Sequence, residues 1–306
     1  MHVFVTGASG WVGSAVVPDL LSHGHTVLAL ARSDAAAQKL DAIEGVEVQR
    51  GSLDDLDSIR EGASKADGVI HLAFKHDFEN YVANDQLDEQ VTATIGDALR
   101  GTNKPFVMAS GTALFAFDPF RDASTPAHED NELPSALHQM PRVASQLLAT
   151  KLASEGVRTA VVRLPPSVHG KGDAGFVPAV IGAARKNGFA AYVGEGPTFW
   201  PGVHVRDAAA LFRLALEKAP AGLAFHAVGN GDGLSFEDMA SIIGDKLALP
   251  VKQVAAEEAE GALGFLARFA TVNNLVSTEK TREVLGREAK EATLQQELTE
   301  EGSSYF

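Results

Sequence analysis

The chain contains no cysteine, and its 306 residues include only two tryptophans and three tyrosines. Without cysteine it has no disulfides, no thiol nucleophile and no thiolate metal ligand. Positive charge is also scarce, because 26 Lys and Arg face 40 Asp and Glu and give a formal net charge of −14. This balance argues against nucleic acid and anionic membranes as partners.

Long apolar runs are missing as well. No stretch approaches the length that crosses a bilayer, and no basic segment with an apolar core precedes the first predicted strand. The ten histidines are scattered, without a pair four residues apart beside a carboxylate as in a zinc-binding helix. We therefore expect a cytoplasmic protein without a metal or a signal peptide, large enough for a nucleotide-binding domain and a smaller lobe.

A glycine-rich turn directly after apolar residues 3–5 is the most informative stretch. It comprises Thr6, Gly7, Ala8, Ser9, Gly10, Trp11, Val12 and Gly13. Gly7 allows a tight turn, Gly10 keeps side chains away from a pyrophosphate, and Gly13 lets the following helix pack closely on a sheet. The start of that helix offers free N–H groups and a positive dipole end to phosphate. The residues predicted to contact a dinucleotide here are Gly7, Ser9, Gly10, Trp11, Val12 and Gly13.

Arg32 and Ser33 follow the second predicted strand, residues 26–31. NAD-binding proteins carry an acidic residue about 20 residues after the glycines, where it binds the ribose hydroxyl. A guanidinium at this point suits a 2′-phosphate, so we predict NADP(H) as the cofactor. The alternative interpretation is a solvated arginine at the end of a strand.

Further strands are predicted at residues 46–51, 68–73 and 106–110, with a long polar helix at 77–100. Alternating strands and helices predict an α/β fold with a doubly wound parallel sheet and a smaller C-terminal lobe. Ligands bind at the carboxyl ends of such strands. The residues that this rule adds to the predicted cofactor site are Ser52, Leu53, Leu72, Ala73, Phe74 and Lys75.

Three residues near these strand ends leave alternatives open. Ser52 is equally well interpreted as part of a helix N-cap. We interpret His71, inside the fourth strand, as a hydrogen-bonded core histidine rather than a catalyst. Lys75 and His76, just after the strand, are better placed for chemistry, although the sequence assigns them no role.

The glycine pattern and the strand order resemble the short-chain dehydrogenase/reductase superfamily, in particular its extended branch. Ser110 and Thr112 fall where that family keeps its catalytic hydroxyl. Other similar segments are Pro126 with Glu129 and residues 161–170, 200–209 and 225–229.

This resemblance implies a domain organisation and further site residues. We expect a Rossmann domain at residues 1–165, to which residues 201–230 return, and a mainly substrate-binding lobe at 166–306. Pro165, Ser167 and Val168 then belong to the turn beside the nicotinamide.

The chain departs from the family at the proton donor, which is a tyrosine four residues before a lysine on one helix face. Tyr81 is followed at that spacing by Asp85 and Tyr192 by Gly196, and Tyr305 is the penultimate residue. The chain therefore resembles the atypical subgroups, which keep the glycine turn and lose the pair.

Alignment of a predicted helix at residues 139–152 puts His138 in the tyrosine position and Arg142 in the lysine position. Histidine exchanges a proton near neutral pH, and a neighbouring arginine favours its neutral form and can bind a ribose. Arginine itself does not deprotonate. The alternative is that His138 merely flanks a helix whose first turn holds Pro141, and that Arg142 binds phosphate or an acidic loop.

Substrate selection is predicted for the C-terminal half. A glycine-rich loop, residues 170–175, covers the cofactor, and a helix starting near Phe176 packs over the pocket. Phe199 and Trp200 either line the pocket or belong to the core. Residues 261–270 form an apolar helix that covers the site or pairs subunits.

Together these features predict an NADP(H)-dependent reductase or dehydrogenase acting on a carbonyl, alcohol or imine of an apolar small molecule, as a monomer or homodimer. Ser110 or Thr112 would hold the substrate oxygen, and His138 would supply the proton. A non-catalytic sensor of the NADP redox state is an alternative. An epimerase or dehydratase of nucleotide sugars is another, although such enzymes usually need the missing tyrosine.

Overall fold

The computed structural model describes residues 1–76, 80–118, 120–133, 135–138, 142–194, 198–229, 231 and 233–306. The strands are β1 His2–Thr6, β2 Thr26–Ala31, β3 Val46–Arg50, β4 Gly68–His71, β5 Pro105–Gly111, β6 Arg158–Leu164, β7 Ser167–His169, β8 Ala190–Val193, β9 Phe199–His204, β10 Leu223–His226, β11 Gly233–Ser235 and β12 Val251–Val254. The helices are α1 Gly13–Ser22, α2 Asp34–Asp41, α3 Leu56–Lys65, α4 Tyr81–Leu99, α5 Ala113–Ala116, α6 Val143–Ala153, α7 Phe176–Asn187, α8 Val205–Lys218, α9 Phe236–Leu247, α10 Ala259–Leu263, α11 Ala267–Ala270, α12 Glu279–Leu285 and α13 Leu294–Thr299.

Seven strands form one sheet in the order β10-β6-β5-β4-β1-β2-β3. All neighbouring pairs are parallel. The chain moves from β1 outward to β3 and then returns to add β4 on the other side of β1. The predicted doubly wound parallel sheet is confirmed, and its topological switch point lies between β1 and β4, where such folds bind their ligands.

Helices cover both faces of the sheet, so side chains on both faces of its strands are buried and apolar. On one face, α1 and α8 contribute Leu20 and Phe212 to a buried cluster. On the other, α3, α4 and α6 contribute Ile59, Ile95 and Leu152 to a second cluster. This packing leaves the carboxyl ends of the strands as the open edge of the sheet.

A separate buried cluster is built from α7, β8, β9, α9 and the segments after them. Trp200 is 1% exposed there and packs on Phe236 with ring centroids 5.1 Å apart. The core interpretation of Trp200 is therefore confirmed. Within predicted segment 201–230, β10 pairs with β6 of the large sheet, whereas the proposed domain boundaries stay a prediction.

Two predicted helices differ from the structure. The described part of the helix predicted at 139–152 begins at Val143, and its N-cap Arg142 has a left-handed φ of 69°; residues 139–141, with Pro141, lie outside the described residues. The helix predicted at 261–270 is split into α10 and α11 by Gly264, which has a φ of +59°. For the helix predicted at 77–100, the structure describes Tyr81–Leu99, and residues 77–79 lie outside the described ranges.

Within the described ranges, no helix combines the length and the apolarity needed to cross a membrane.

Candidate functional site

A cavity of about 1030 Å³ lies at the carboxyl ends of the sheet strands. Most residues predicted to bind the cofactor line it, although they come from the segments after five different strands. Those residues are Gly7, Ser9, Gly10, Trp11, Val12, Gly13, Arg32, Ser33, Ser52, Leu53, Leu72, Ala73, Phe74, Lys75, Pro165 and Val168. Ser167 is placed differently, because it is 2% exposed and does not line the cavity.

The turn after β1, residues 7–13, forms one end of the cavity together with Arg32 and Ser33, and we call this the glycine end. Gly7 has a φ of +72°, and a Cβ there would lie 2.8 Å from the backbone nitrogen of Ala73. A Cβ on Gly13 would lie 2.1 Å from the Gly7 carbonyl oxygen. Gly7 and Gly13 are thus required because the backbone approaches each of them closely. For Gly13 the close contact is with the glycine turn itself, not with the sheet as predicted.

Backbone donors are available at the glycine end. The Gly10 N–H is bonded to the Gly7 carbonyl at 2.9 Å and the Ser14 N–H to the Gly10 carbonyl at 2.8 Å. Among the described residues, the N–H groups of Trp11, Val12 and Gly13 meet no acceptor. Free N–H groups at the start of a helix favour an anion, so this turn fits a pyrophosphate.

Arg32 is exposed at the cavity and forms no hydrogen bond or ion pair within the described part of the chain. The neighbouring acid is already neutralised, since Asp34 pairs with Arg50 at 2.7 Å. Ser33 caps α2, and its hydroxyl oxygen accepts from the Ala36 N–H at 3.2 Å. The residues after β2 therefore present an uncompensated cation to the cavity.

Trp11 joins the glycine turn to the segment after β6. Its indole N–H donates to the Val168 carbonyl oxygen at 2.8 Å. A Cβ on Gly172 would be 3.6 Å from the Trp11 ring. The indole thus fixes the distance between the glycine turn and the predicted covering loop, residues 170–175, of which Asp173 and Gly175 line the cavity.

His71 lies beneath the cavity as the predicted core histidine. It is 1% exposed, with Nδ1 at 2.6 Å from the Thr6 hydroxyl and Nε2 at 3.1 Å from Asp88. Burial alone would raise the pKa of Asp88, but the charge of Arg142 and the hydrogen bond from His71 lower it to about 2. Asp88 is therefore an ionised structural partner of these two residues.

The two candidate hydroxyls after β5 are in different environments. Ser110 lines the cavity, is 6% exposed, and its Oγ meets no hydrogen-bond partner among the described residues. Thr112 is fully buried, and its Oγ1 accepts from the Asn274 side-chain amide at 3.0 Å. Because Thr112 is enclosed in the core and does not line the cavity, its predicted role at the substrate oxygen is corrected. Of these two residues, Ser110 is the one that lines the cavity.

The predicted His138 and Arg142 pair is also corrected. Helix α6 begins after Arg142, so the two residues do not share a helix face. His138 is exposed, lies 3.2 Å from the Leu133 carbonyl oxygen through Nε2, and does not line the cavity. The structure therefore places His138 away from the cavity that Ser110 and Arg142 line.

Arg142, in contrast, lines the cavity beside Ser110. Its guanidinium donates to the Ala109 carbonyl, and its backbone N–H donates to the Asp85 carboxylate. The guanidinium carbon also lies 4.3 Å from the centre of the Phe74 ring, a cation–π distance. Arg142 thus brings a positive charge, fixed by these contacts, to the cavity wall.

His76 also lines the cavity. Its ring packs edge-on against Phe74, with centroids 5.2 Å apart. Desolvation and the charge of Arg142 lower the pKa of His76 below its usual value. His76, which is exposed, is therefore a titratable group at the cavity near Arg142, and the sequence had left it without a role.

The other end of the cavity is formed by Phe117, Phe176, Phe265, Arg268 and Phe269, and we call it the aromatic end. The Phe269 ring lies 5.0 Å from Phe176 and 5.8 Å from Phe117, and Phe176 lies 5.7 Å from Phe265. Residues 261–270 thus cover the site, as one of the two predicted alternatives stated. Phe199 does not line the cavity within the described part of the chain.

Sequence reasoning missed Phe117 and Arg268. Phe117 follows the short helix α5, and no motif surrounds it. Arg268 carried one usable signal, because it stands on an apolar segment that follows the acidic residues Glu257, Glu258 and Glu260. A charged residue is unusual within an apolar segment, and this is the signal that could have identified Arg268.

Across the described ranges, no group of three or more His, Asp or Glu side chains could hold a metal ion.

Comparison with known proteins agrees with the sheet and the glycine turn. Residues 3–228 match the model of the NAD dependent epimerase/dehydratase family. The chain is 42% identical over 306 residues to an uncharacterized protein of Schizosaccharomyces pombe, covering 100% of both chains. It is 30% identical over 231 residues to the 4-hydroxy-2-methyl-3-oxo-4-farnesyl-3,4-dihydroquinoline-1-oxide ketoreductase of Stigmatella aurantiaca, covering 72% of this chain and 66% of the relative.

A solved structure shares the fold over nearly the whole length. The dTDP-glucose 4,6-dehydratase of Streptomyces venezuelae, determined with NAD bound, has a TM-score of 0.75 at 19% identity and covers 97% of this chain and 94% of its own. A family match over most of the chain, a shared sheet and a glycine turn that fits a dinucleotide lead to one conclusion. The chain belongs to the NAD-dependent epimerase/dehydratase family, within the extended short-chain dehydrogenase/reductases.

Proposed function

We propose that this protein is an NADP(H)-dependent oxidoreductase that interconverts a carbonyl and an alcohol in an apolar small molecule. One observation carries the proposal: Ser110 lines the same cavity as the glycine end and the aromatic end, and its buried Oγ has no hydrogen-bond partner among the described residues. A buried hydroxyl without a partner costs free energy unless a ligand supplies one. The relative named as a ketoreductase supports carbonyl chemistry.

The glycine end would hold the cofactor. The N–H groups of Trp11, Val12 and Gly13 would bind its pyrophosphate, and the unpaired Arg32 would bind the 2′-phosphate that distinguishes NADP from NAD. When bound, the cofactor supplies or accepts the hydride.

The residues in the middle of the cavity would act on the substrate oxygen. Ser110 would donate a hydrogen bond to the carbonyl oxygen and stabilise the negative charge that develops there. Arg142, held at the Ala109 carbonyl and over Phe74, would add a positive potential to the same region. The active site would therefore work without the tyrosine–lysine pair.

We assign the proton transfer to His76 rather than to His138. His76 lines the cavity near Arg142, and its pKa is lowered below the usual value by desolvation and by that charge. Its neutral form would accept a proton during alcohol oxidation, and its protonated form would donate one during carbonyl reduction. A cytoplasmic location and a monomeric or homodimeric state stay predictions.

The cofactor proposal is tested by calorimetric titration of NADPH and NADH into the wild-type protein and the Arg32→Gln variant. Because an interaction with a charged group contributes about 1.5–3 kcal/mol, the variant should bind NADPH about 10- to 150-fold more weakly. Its affinity for NADH should be unchanged. Arg60→Gln is the matched control, since Arg60 pairs with Asp57 on α3 and does not line the cavity.

Two results would contradict the proposal. Equal or tighter binding of NADH by the wild-type protein would remove the role of Arg32. Tight NADPH binding without oxidation by any member of a panel of ketones, aldehydes and imines would instead favour a redox sensor.

A further inference from the structure

The segment at residues 259–270 gives the aromatic end both its apolar surface and its charge. Gly264 has a φ of +59°, a conformation that favours glycine, and it ends α10. The chain then turns so that Phe265, Arg268 and Phe269 all line the cavity. The bend at Gly264 thus replaces the single helix that the sequence predicted for this segment.

The apolar part of this surface is incompletely covered by the protein. Phe265 is 46% exposed although it packs at 5.7 Å on Phe176. Phe269 packs at 5.0 Å and 5.8 Å on Phe176 and Phe117. Rings in such edge-on and tilted contacts form a wall on which a flat apolar ligand could bury its surface.

Arg268 is the charged member of the same wall. Its side chain is exposed at the cavity and forms no hydrogen bond or ion pair with the residues that the structure describes. This is notable in a chain with a formal net charge of −14, and next to a segment that carries Glu257, Glu258 and Glu260. The planar guanidinium offers two parallel N–H donors, which match a carboxylate.

We propose that the substrate combines a planar apolar body with a carboxylate, that the aromatic end holds the body, and that Arg268 binds the carboxylate. This inference rests on the proposed oxidoreductase function and names the substrate class of that site. Arg268 then acts as a specificity residue, distant in sequence from Ser110 and separate from the Arg32 that the glycine end presents.

The test uses two matched probes, 4-acetylbenzoate and its methyl ester, which share the aromatic ketone and differ in charge. Binding of each is measured by calorimetry with the full-length protein saturated with NADP⁺, a complex that cannot reduce the ketone. NADPH-dependent reduction of both probes is measured in parallel. Binding to the NADP⁺ complex tests the substrate class even if the proposed reaction fails.

The wild-type protein should prefer the acid over the ester by about tenfold or more in Kd. Arg268→Gln should weaken binding of the acid about 10- to 100-fold and change binding of the ester less than about twofold. Arg185→Gln is the matched control, because Arg185 is an exposed arginine of α7 that does not line the cavity. It should change neither probe.

Three outcomes would overturn the inference. Equal binding of acid and ester by the wild-type protein would remove the charge requirement. Equal loss of both probes in Arg268→Gln would indicate damage to the wall instead of a lost ion pair. Weaker NADPH binding in Arg268→Gln, with probe selectivity unchanged, would assign Arg268 to the cofactor.

Discussion

The two ends of the cavity are built in different ways. The glycine end consists of one continuous turn, residues 7–13, whose contacts are made by backbone N–H groups, with Arg32 added from the next strand. The aromatic end is assembled from Phe117, Phe176 and residues 265–269, segments that lie far apart in the chain. A site made of local backbone leaves a pattern in the sequence, whereas a site made of distant side chains becomes visible once the fold is known.

The largest effect on turnover is expected for Ser110→Ala, which tests whether the Ser110 hydroxyl acts on the substrate oxygen. Loss of one hydrogen-bond donor to a developing oxyanion lowers kcat by about 100- to 1000-fold. We expect that loss in NADPH-dependent ketone reduction, measured by the absorbance of NADPH. The affinity for NADPH and the thermal stability should stay close to those of the wild type.

Thr112→Val is the matched control for Ser110→Ala. It removes the acceptor of the Asn274 amide hydrogen bond in the core, which should reduce the free energy of unfolding by about 1–3 kcal/mol. The turnover of the folded protein should be retained. If Thr112→Val abolished turnover and Ser110→Ala did not, the assignment of the two hydroxyls would have to be reversed.

Gly13→Ala tests whether the glycine end depends on its backbone packing. The added Cβ would lie 2.1 Å from the Gly7 carbonyl oxygen, so the turn must shift. Overpacking of this kind costs about 1–3 kcal/mol of stability. We expect a lower urea midpoint together with weaker binding of NADPH.

Gly182→Ala provides the comparison, because its Cβ would meet nothing within 4 Å on α7. Alanine is the better helix former by up to about 1 kcal/mol, so this variant should be as stable as the wild type or more stable. A wild-type affinity for NADPH in Gly13→Ala would show that the turn is not the phosphate site.

The pH dependence of turnover tests the role of His76. Its folded-state pKa is lowered by desolvation and by Arg142, so the protonated form is lost as the pH rises through this lowered value. Ketone reduction should fall by about tenfold per pH unit above this pKa, whereas alcohol oxidation should rise with pH below it and level off above it. Arg142→Gln should move the midpoint upward, because a charge that opposes protonation is removed.

His76→Gln should abolish this limb of the pH profile while leaving NADPH binding intact. Lys75, the neighbouring cation, is paired with Asp54 at 2.7 Å, and Asp85 accepts from the Arg142 backbone. Neither should move the midpoint as far as Arg142. A profile that is unchanged in His76→Gln would assign the proton transfer to another group.

The smallest effect is expected at the Lys75 and Asp54 ion pair near the glycine end. Both side chains are partly exposed, 29% and 61% respectively, and exposed pairs contribute about 0–1 kcal/mol. Asp54→Asn should therefore change the free energy of unfolding by less than about 1 kcal/mol, and raised salt should reduce the difference further. A larger loss at high salt would mean that Asp54 has a packing role.

The sequence was informative where local pattern decides structure. The apolar runs of β1, β4 and β5 predicted the parallel sheet, and the glycine spacing predicted a turn that lines the cavity. His71 was interpreted correctly as a core residue, because a histidine inside a fully apolar run needs buried partners, which Thr6 and Asp88 supply.

The sequence failed where the position of a helix start decides which way a residue faces. Thr112 and Ser110 are two residues apart, but the chain turns into α5 after Gly111 and encloses Thr112 beside Asn274. His138 and Arg142 are separated because α6 begins at Val143. Arg268 has no neighbouring motif, and its place at the cavity depends on the bend at Gly264. The roles of the site residues remain predictions for the experiments above.

The two tryptophans give the molecule a built-in optical readout. Trp11 lies at the glycine end with its indole N–H bonded to Val168, and Trp200 is buried behind the aromatic end with its ring stacked 5.8 Å from Phe176. Intrinsic fluorescence of Trp200→Phe would therefore report on ligands at the first end, and that of Trp11→Phe on ligands at the second. Occupancy of the two halves could be followed separately without an added dye.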